Sequence, residues 1–176
     1  MPIDTKRMIA DAFLQLTQQK NLDKITIKDI VECCNISRQA FYYHFQDILD
    51  VIEWIVQKEM QRAFEECLKI EEPRDALLYM VRHTIEHDDK INRLLSSQHG
   101  EQIQQFLMQT FCNLLRETRI KRRVRINLPT TEADTALHFL AFGTVGVIKE
   151  AIKNGNRDAE FLCNEIHALT TRILED

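Results

Sequence analysis

Apolar residues recur at every third or fourth position along this chain, and no stretch shows the alternation of a strand. Ile9, Ala12, Phe13 and Leu16 make the first such face, behind Asp4 or Thr5 as helix cap. Asn21-Leu22-Asp23 interrupts it. Thr26-Ile27-Lys28-Asp29 then reads as a capping box, in which the Thr hydroxyl accepts an orphan backbone N–H and Asp29 replaces the usual Glu or Gln. The short helix this predicts turns Ile27, Ile30, Val31 and Cys34 inward. It must stop near Asn35, because Asn is the residue other than Gly that best tolerates the left-handed conformation of a helix end. Ser37 caps a third helix with Ala40, Phe41 and Phe45 inward, and Asp47 caps a fourth, carrying Ile48, Val51, Ile52 and Ile55, that runs toward Lys69.

The helical period continues after Pro73. Ala76, Leu77, Met80, Val81 and Ile85 form one stripe, Ile91, Leu94 and Leu95 another, and a long segment runs from about Gln102 to Thr118. A helix from Thr131 through Leu137, Ala141, Ile148 and Ile152 ends at Asn154-Gly155, and Asp158 opens a last one through Phe161, Leu162, Ile166, Leu169 and Ile173. The pattern predicts an all-α protein of about nine helices without repeats or low-complexity linkers.

Composition narrows the class. At 176 residues the chain can bury roughly 70% of its unfolded surface, so it needs no disulfide staple. The five cysteines, Cys33, Cys34, Cys67, Cys112 and Cys163, show neither a C-x-x-C pair nor zinc-finger spacing. Reduced thiols are expected, with a redox role for Cys33-Cys34 as the alternative to simple packing. No apolar run approaches the ~20 residues needed to cross a bilayer, and the first residues lack the pattern of a secretory signal. A cytoplasmic protein with no membrane partner is expected.

Residues 37–50, SRQAFYYHFQDILD, hold the candidate chemistry. Four aromatic rings and a His within five positions cannot all face the core of one helix, so at least two rings must find another use. Two short helices joined by a turn of about three residues make a helix-turn-helix. Its second helix reads bases from its N-terminal residues, so Arg38 and Gln39 stand where readout occurs: Arg pairs bidentately with guanine, Gln with adenine, and Ala40 is small enough to meet a thymine methyl. Tyr42, Tyr43 and His44 can reach phosphate or sugar, and the Thr26 helix start with Lys28 offers a further phosphate contact. Charge argues the other way, since the net charge is −4 and residues 1–50 hold six Lys/Arg against seven Asp/Glu.

Thr26 through Val31, Asn35-Ile36-Ser37-Arg38 and, above all, Phe41-Tyr42-Tyr43-His44-Phe45 resemble the DNA-binding domain of TetR-type transcriptional regulators over roughly residues 4–60. The Tyr-Tyr-His-Phe-Gln form followed by Glu53-Trp54-Ile55 is also similar to the subgroup that includes regulators of dihydroxyacetone kinase. The resemblance implies a helix-turn-helix domain at 1–60 and a helical ligand-binding and dimerisation domain at 61–176. It further implies a homodimer on a pseudo-palindromic double-stranded operator, and repression relieved by a small-molecule effector, with no required cofactor, no metal and no catalysis. Matched by position, Thr26, Lys28, Ser37, Arg38, Gln39, Ala40, Tyr42, Tyr43 and His44 fall where the family meets DNA. Two residues depart from its pattern: Asn35 stands for the usual Gly, and Ile48 for a Lys at the fourth-helix start. The loss of that cation, beside Asp47 and Asp50, motivates an alternative in which the module binds another protein and DNA only weakly.

Three further features lie beyond residue 60. His83-Thr84-Ile85-Glu86-His87 matches H-x-x-E-H, the zinc-binding order of inverzincin proteases, but no third ligand accompanies it and an incidental origin is preferred. Arg119, Lys121, Arg122, Arg123 and Arg125 form a basic run, read as a solvated segment, with a ligand phosphate or acidic residues of another subunit as functional partners. Gly143 and Gly146 each cost a helix about 1 kcal/mol relative to Ala. Dimerisation through residues 132–174 is expected to offset that cost, with close packing inside one subunit as the alternative.

Overall fold

The computed structural model describes residues 4–121 and 130–175. Among the described residues there are nine α-helices and no strand: α1 (Thr5–Thr17), α2 (Ile27–Cys33), α3 (Arg38–His44), α4 (Ile48–Lys69), α5 (Pro73–Glu86), α6 (Asp88–Leu95), α7 (Gly100–Lys121), α8 (Thr130–Lys153) and α9 (Ala159–Glu175), with one 3-10 turn at Leu22–Lys24. The all-α architecture is the one the periodicity predicts. The chain forms two compact units, one joining residues up to Glu59 with Lys90–Leu107, the other joining Met60–Asp89 with the residues from Met108 onward.

In the first unit α1, α2 and α3 pack on one another around Ile9, Phe13, Ile30 and Phe41, all at most 2% exposed. Burying a side chain of this size stabilises the fold by roughly 1.5–3 kcal/mol. The caps are those the sequence predicts. Asp4 accepts the Arg7 N–H, Ser37 accepts the Ala40 N–H at 3.0 Å, and Asp47 accepts the Asp50 N–H at 2.9 Å. Asn35 has φ +51 and ends α2 as expected. Its own N–H reaches the Glu32 carbonyl while the Ile36 N–H reaches Val31, the two bonds of a Schellman motif. Asn21 caps the 3-10 turn by accepting the Asp23 N–H, and Asp23 in turn accepts the Gln98 N–H at 3.1 Å from the α6–α7 connection. Gly100 closes that connection, where a Cβ would stand 2.0 Å from the Leu95 carbonyl oxygen.

In the second unit α5 packs on α8 and α9 over Val81, Ile148, Leu162, Cys163 and Ile166. Polar clasps flank this core. Arg74 donates to Glu160 at 2.8 Å and to Asn164 at 2.7 Å, and Arg157 donates to Asp88 at 3.2 Å and to the Ile85 carbonyl. Gly155, φ +83, ends α8.

One expectation needs correction. Glu132–Lys153 is long and apolar enough, by length and mean hydropathy, to cross a bilayer. Counting uninterrupted apolar runs misses it because Thr135, His138, Gly143, Thr144 and Gly146 punctuate the helix. One face of α8 is buried through Ala133, Leu137, Ala141 and Ile148, while Phe139, Phe142 and Val147 are exposed.

Candidate nucleic-acid interface

The rings of α3 divide as the helical period requires. Phe41 and Phe45 are buried, at 0% and 2% exposure, whereas Tyr42 is 56% and Tyr43 84% exposed. Tyr42 meets Phe41 edge-on at 5.6 Å, and Tyr43 meets the half-buried His44 edge-on at 5.0 Å. Each tyrosine is therefore braced by a ring contact while its hydroxyl end is open to solvent, the geometry of an amphipathic side chain that contacts a polar surface. Ser37, Arg38 and Gln39 are exposed in the first turn, and Ala40 is half-buried behind them. The Ser37 oxygen is occupied by the Ala40 N–H, but its own O–H remains a donor.

Thr26 and Lys28 stand exposed at the start of α2, which packs on α3. Thr26 is more committed than the sequence implies. Its backbone N–H and its hydroxyl both donate to the Asp29 carboxylate, at 2.7 and 2.6 Å, and its oxygen accepts the Asp29 N–H at 3.2 Å. The predicted capping box is present with Asp in the Glu position, and it consumes the hydroxyl proton that a phosphate would otherwise accept. Lys20, at the end of the first helical segment, lies 2.6 Å from the same carboxylate. Lys20 first, then Thr26, hold the Asp29 carboxyl well below the usual carboxylate range. The Lys20 contact is not visible in a local pattern, because it spans nine positions and a helix break. Lys28 pairs with Glu32 at 3.8 Å, an exposed contact of little energetic consequence that a phosphate can displace.

The acidic residues after α3 have structural employment. Asp47 accepts the Asp50 N–H, and Asp50 accepts the Gln46 N–H at 3.0 Å, so both complete the start of α4. Burial, then Asp50 and Asp47, push the Glu53 carboxyl up. Cys34 donates to the Ile30 carbonyl, and burial followed by the neighbouring Cys33 pushes its thiol up, away from the reactive thiolate that a redox role needs.

The other sequence features can also be placed. His83 and His87 stack face to face with centroids 4.2 Å apart, and His87 Nδ1 lies 2.9 Å from the His83 carbonyl, an acceptor that requires the proton on that nitrogen. Among the described residues no group of three or more His, Cys, Asp or Glu could hold a metal ion. Most of the basic run at 119–125 lies outside the described residues. At Gly143 and Gly146 a Cβ would meet nothing within 4 Å, so close packing within one subunit does not account for them.

Residues 9–53 match the model of bacterial regulatory proteins of the tetR family, and residues 71–172 match that of a transcriptional regulator C-terminal region. The chain is 28% identical over 85 residues, 48% of its length and 46% of the relative's, to the HTH-type dhaKLM operon transcriptional activator DhaS of Lactococcus lactis subsp. lactis (strain IL1403). It is 21% identical over 157 residues, 84% of its length and 40% of the relative's, to the HTH-type transcriptional regulator YxbF of Bacillus subtilis (strain 168). The chain thus spans less than half the length of these curated relatives. Among solved structures, that of the dihydroxyacetone kinase operon activator DhaS superposes with a TM-score of 0.66 at 22% identity, covering 98% of this chain and 97% of the other, a likeness of fold.

Proposed function

Since the chain belongs to the TetR family of transcriptional regulators, we propose that it binds a pseudo-palindromic operator as a homodimer, with α3 in the major groove and Arg38 and Gln39 reading bases. The division of rings on α3 carries this reading: a helix built only to pack would not hold Tyr43 at 84% exposure beside a fully buried Phe41. Ser37, Tyr42, Tyr43, His44 and Lys28 contact phosphate or sugar, and Ala40 meets a base edge. Thr26 orders the start of α2 through Asp29 and serves the interface through the backbone it fixes.

The dimer forms through α8 and α9, residues 132–174. Phe139 and Phe142 on α8 and Phe161 and Leu169 on α9 are all more than half exposed in the single chain. A second copy laid on them gives a four-helix bundle, with Gly143 and Gly146 allowing close approach. Two α3 helices then address successive major grooves about 34–36 Å apart. A small-molecule effector taken up within residues 61–176 releases the operator, which makes the protein a cytoplasmic repressor acting by occlusion. Similarity to DhaS, named as an operon activator, favours a second reading in which the bound dimer activates transcription.

The test is fluorescence anisotropy of the protein titrated onto DNA flanking its own gene and onto shuffled DNA of equal length, at low and high salt. Tight, sequence-dependent, salt-sensitive binding supports the reading. Equal binding to both duplexes moves the function to a protein partner, and a promoter-fused reporter distinguishes repression from activation.

A further inference from the structure

A helix lying in the major groove has a sugar–phosphate backbone on either side, so cations are needed toward both of its ends. Lys28 serves the N-terminal side of α3, Arg38 being engaged with the bases. On the other side the sequence offers no Lys or Arg between Arg38 and Lys58, and three carboxylates instead, Asp47, Asp50 and Glu53. Two backbone amides at this junction are already taken, the Asp50 N–H by Asp47 and the Gln46 N–H, ahead of α4, by Asp50.

Only one cation is placed at this junction from elsewhere in the chain among the described contacts. The Lys6 ammonium of α1 stands 5.3 Å from the centroid of the Phe45 ring. Phe45 directly follows α3 and precedes α4 by three residues, so the charge is held where the two helices meet. Lys6 is half-buried, its ammonium lying over a phenyl ring that is itself 2% exposed, and it makes no ion pair among the described residues. This is a cation–π arrangement, in which the face of the ring attracts the ammonium without neutralising its charge. The ring fixes the ammonium in advance, so little freedom is lost when an anion binds it.

We infer that Lys6 supplies the DNA-phosphate contact on the C-terminal side of α3, in place of any cation from the start of α4. The inference rests on the operator-binding reading above. Asp47 and Asp50 can then cap α4 without leaving that flank of the interface repulsive, because the charge that meets the backbone comes from α1.

The test compares the parent with Lys6→Met, which keeps an apolar side chain and removes the charge, with Lys6→Arg, which keeps the charge, and with Arg38→Ala. Each is titrated onto operator and shuffled duplexes across a salt series, and its thermal midpoint is measured. Lys6→Met is expected to bind both duplexes roughly threefold to tenfold more weakly, with the slope of log affinity against log salt shallower by about one per bound subunit. Sequence preference should be unchanged, and Lys6→Arg should retain the parental slope. An unchanged slope in Lys6→Met overturns the inference, even if its thermal midpoint falls, and leaves the reading of α3 standing if Arg38→Ala still loses operator preference. A parent that binds DNA without dependence on sequence or salt overturns both.

Discussion

Asn35 and Gly155, 120 positions apart in the chain, end their helices with the same pair of backbone bonds. In each case the left-handed residue donates to the third residue before it, and the next N–H reaches five residues back: Asn35 to Glu32 and Ile36 to Val31, Gly155 to Ile152 and Asn156 to Ala151. Gly adopts this conformation without penalty, whereas Asn retains part of the cost that a Cβ imposes. Asn35→Gly should therefore be neutral or stabilising by up to about 0.5 kcal/mol, and Asn35→Ala destabilising by about 1 kcal/mol. Gly155→Ala should cost a similar amount, although its Cβ would meet open space. Urea unfolding of the three variants checks the signs, and a stabilised Asn35→Ala would contradict the account of this turn.

The Asp29 carboxylate predicts a pH dependence. Lys20 and Thr26 lower its pKa in the folded chain, while the unfolded chain titrates near the ordinary value of about 3.9. Between those two values the unfolded state binds more protons. The contribution is thus fully present above about pH 4–5 and is lost as the pH falls through the folded value. Asp29→Asn should lower the thermal midpoint at neutral pH, and the gap to the parent should narrow on acidification below pH ~4. Thr26→Ala should cost about 1 kcal/mol through the lost cap.

How far such features are legible depends on the range of the contact. The caps at Asp4, Thr26, Ser37, Asp47 and Asp158 are local, three residues from donor to acceptor, so residue type and spacing reveal them. Tyr42 and Tyr43 are legible for a different reason: one helix face cannot accommodate every ring in FYYHF, and the excess must turn outward. Lys6 over Phe45, Lys20 on Asp29 and the Asp23–Gln98 bond leave no periodic trace, because the first two join segments brought together by the packing of α1, α2 and α3, and the third joins the 3-10 turn to the α6–α7 connection 75 positions away. The apolar length of α8 is hidden for a third reason, that small and hydroxylated residues break the run without lowering the mean hydropathy of the whole helix below a spanning value.

Base readout and backbone contact should separate by mutation. Arg38→Ala is expected to cost about 1–3 kcal/mol on the operator and little on shuffled DNA. Tyr42→Phe removes a hydroxyl from a side chain that keeps its edge-on contact with Phe41, and should weaken both duplexes alike by about 1 kcal/mol. Equal losses on both duplexes for Arg38→Ala would move that residue from the bases to the backbone.

The glycines of α8 give opposite signs in the monomer and the dimer, which makes them the sharper probe of assembly. In one copy a Cβ at Gly143 or Gly146 meets nothing within 4 Å, so replacement by Ala should stabilise an isolated helix by about 1 kcal/mol per site. Against a second copy laid on Phe139 and Phe142, the same methyl groups, and more so a Leu, would stand in the path of the partner helix. Gly146→Leu should then shift sedimentation toward monomer without loss of helical circular dichroism, and Phe142→Glu should do the same by burying a charge at the interface, at a cost of several kcal/mol. If Gly146→Leu raises the thermal midpoint and leaves the sedimentation coefficient of a dimer unchanged, the two subunits meet on another face, and the exposed phenyl rings of α8 need a different cover.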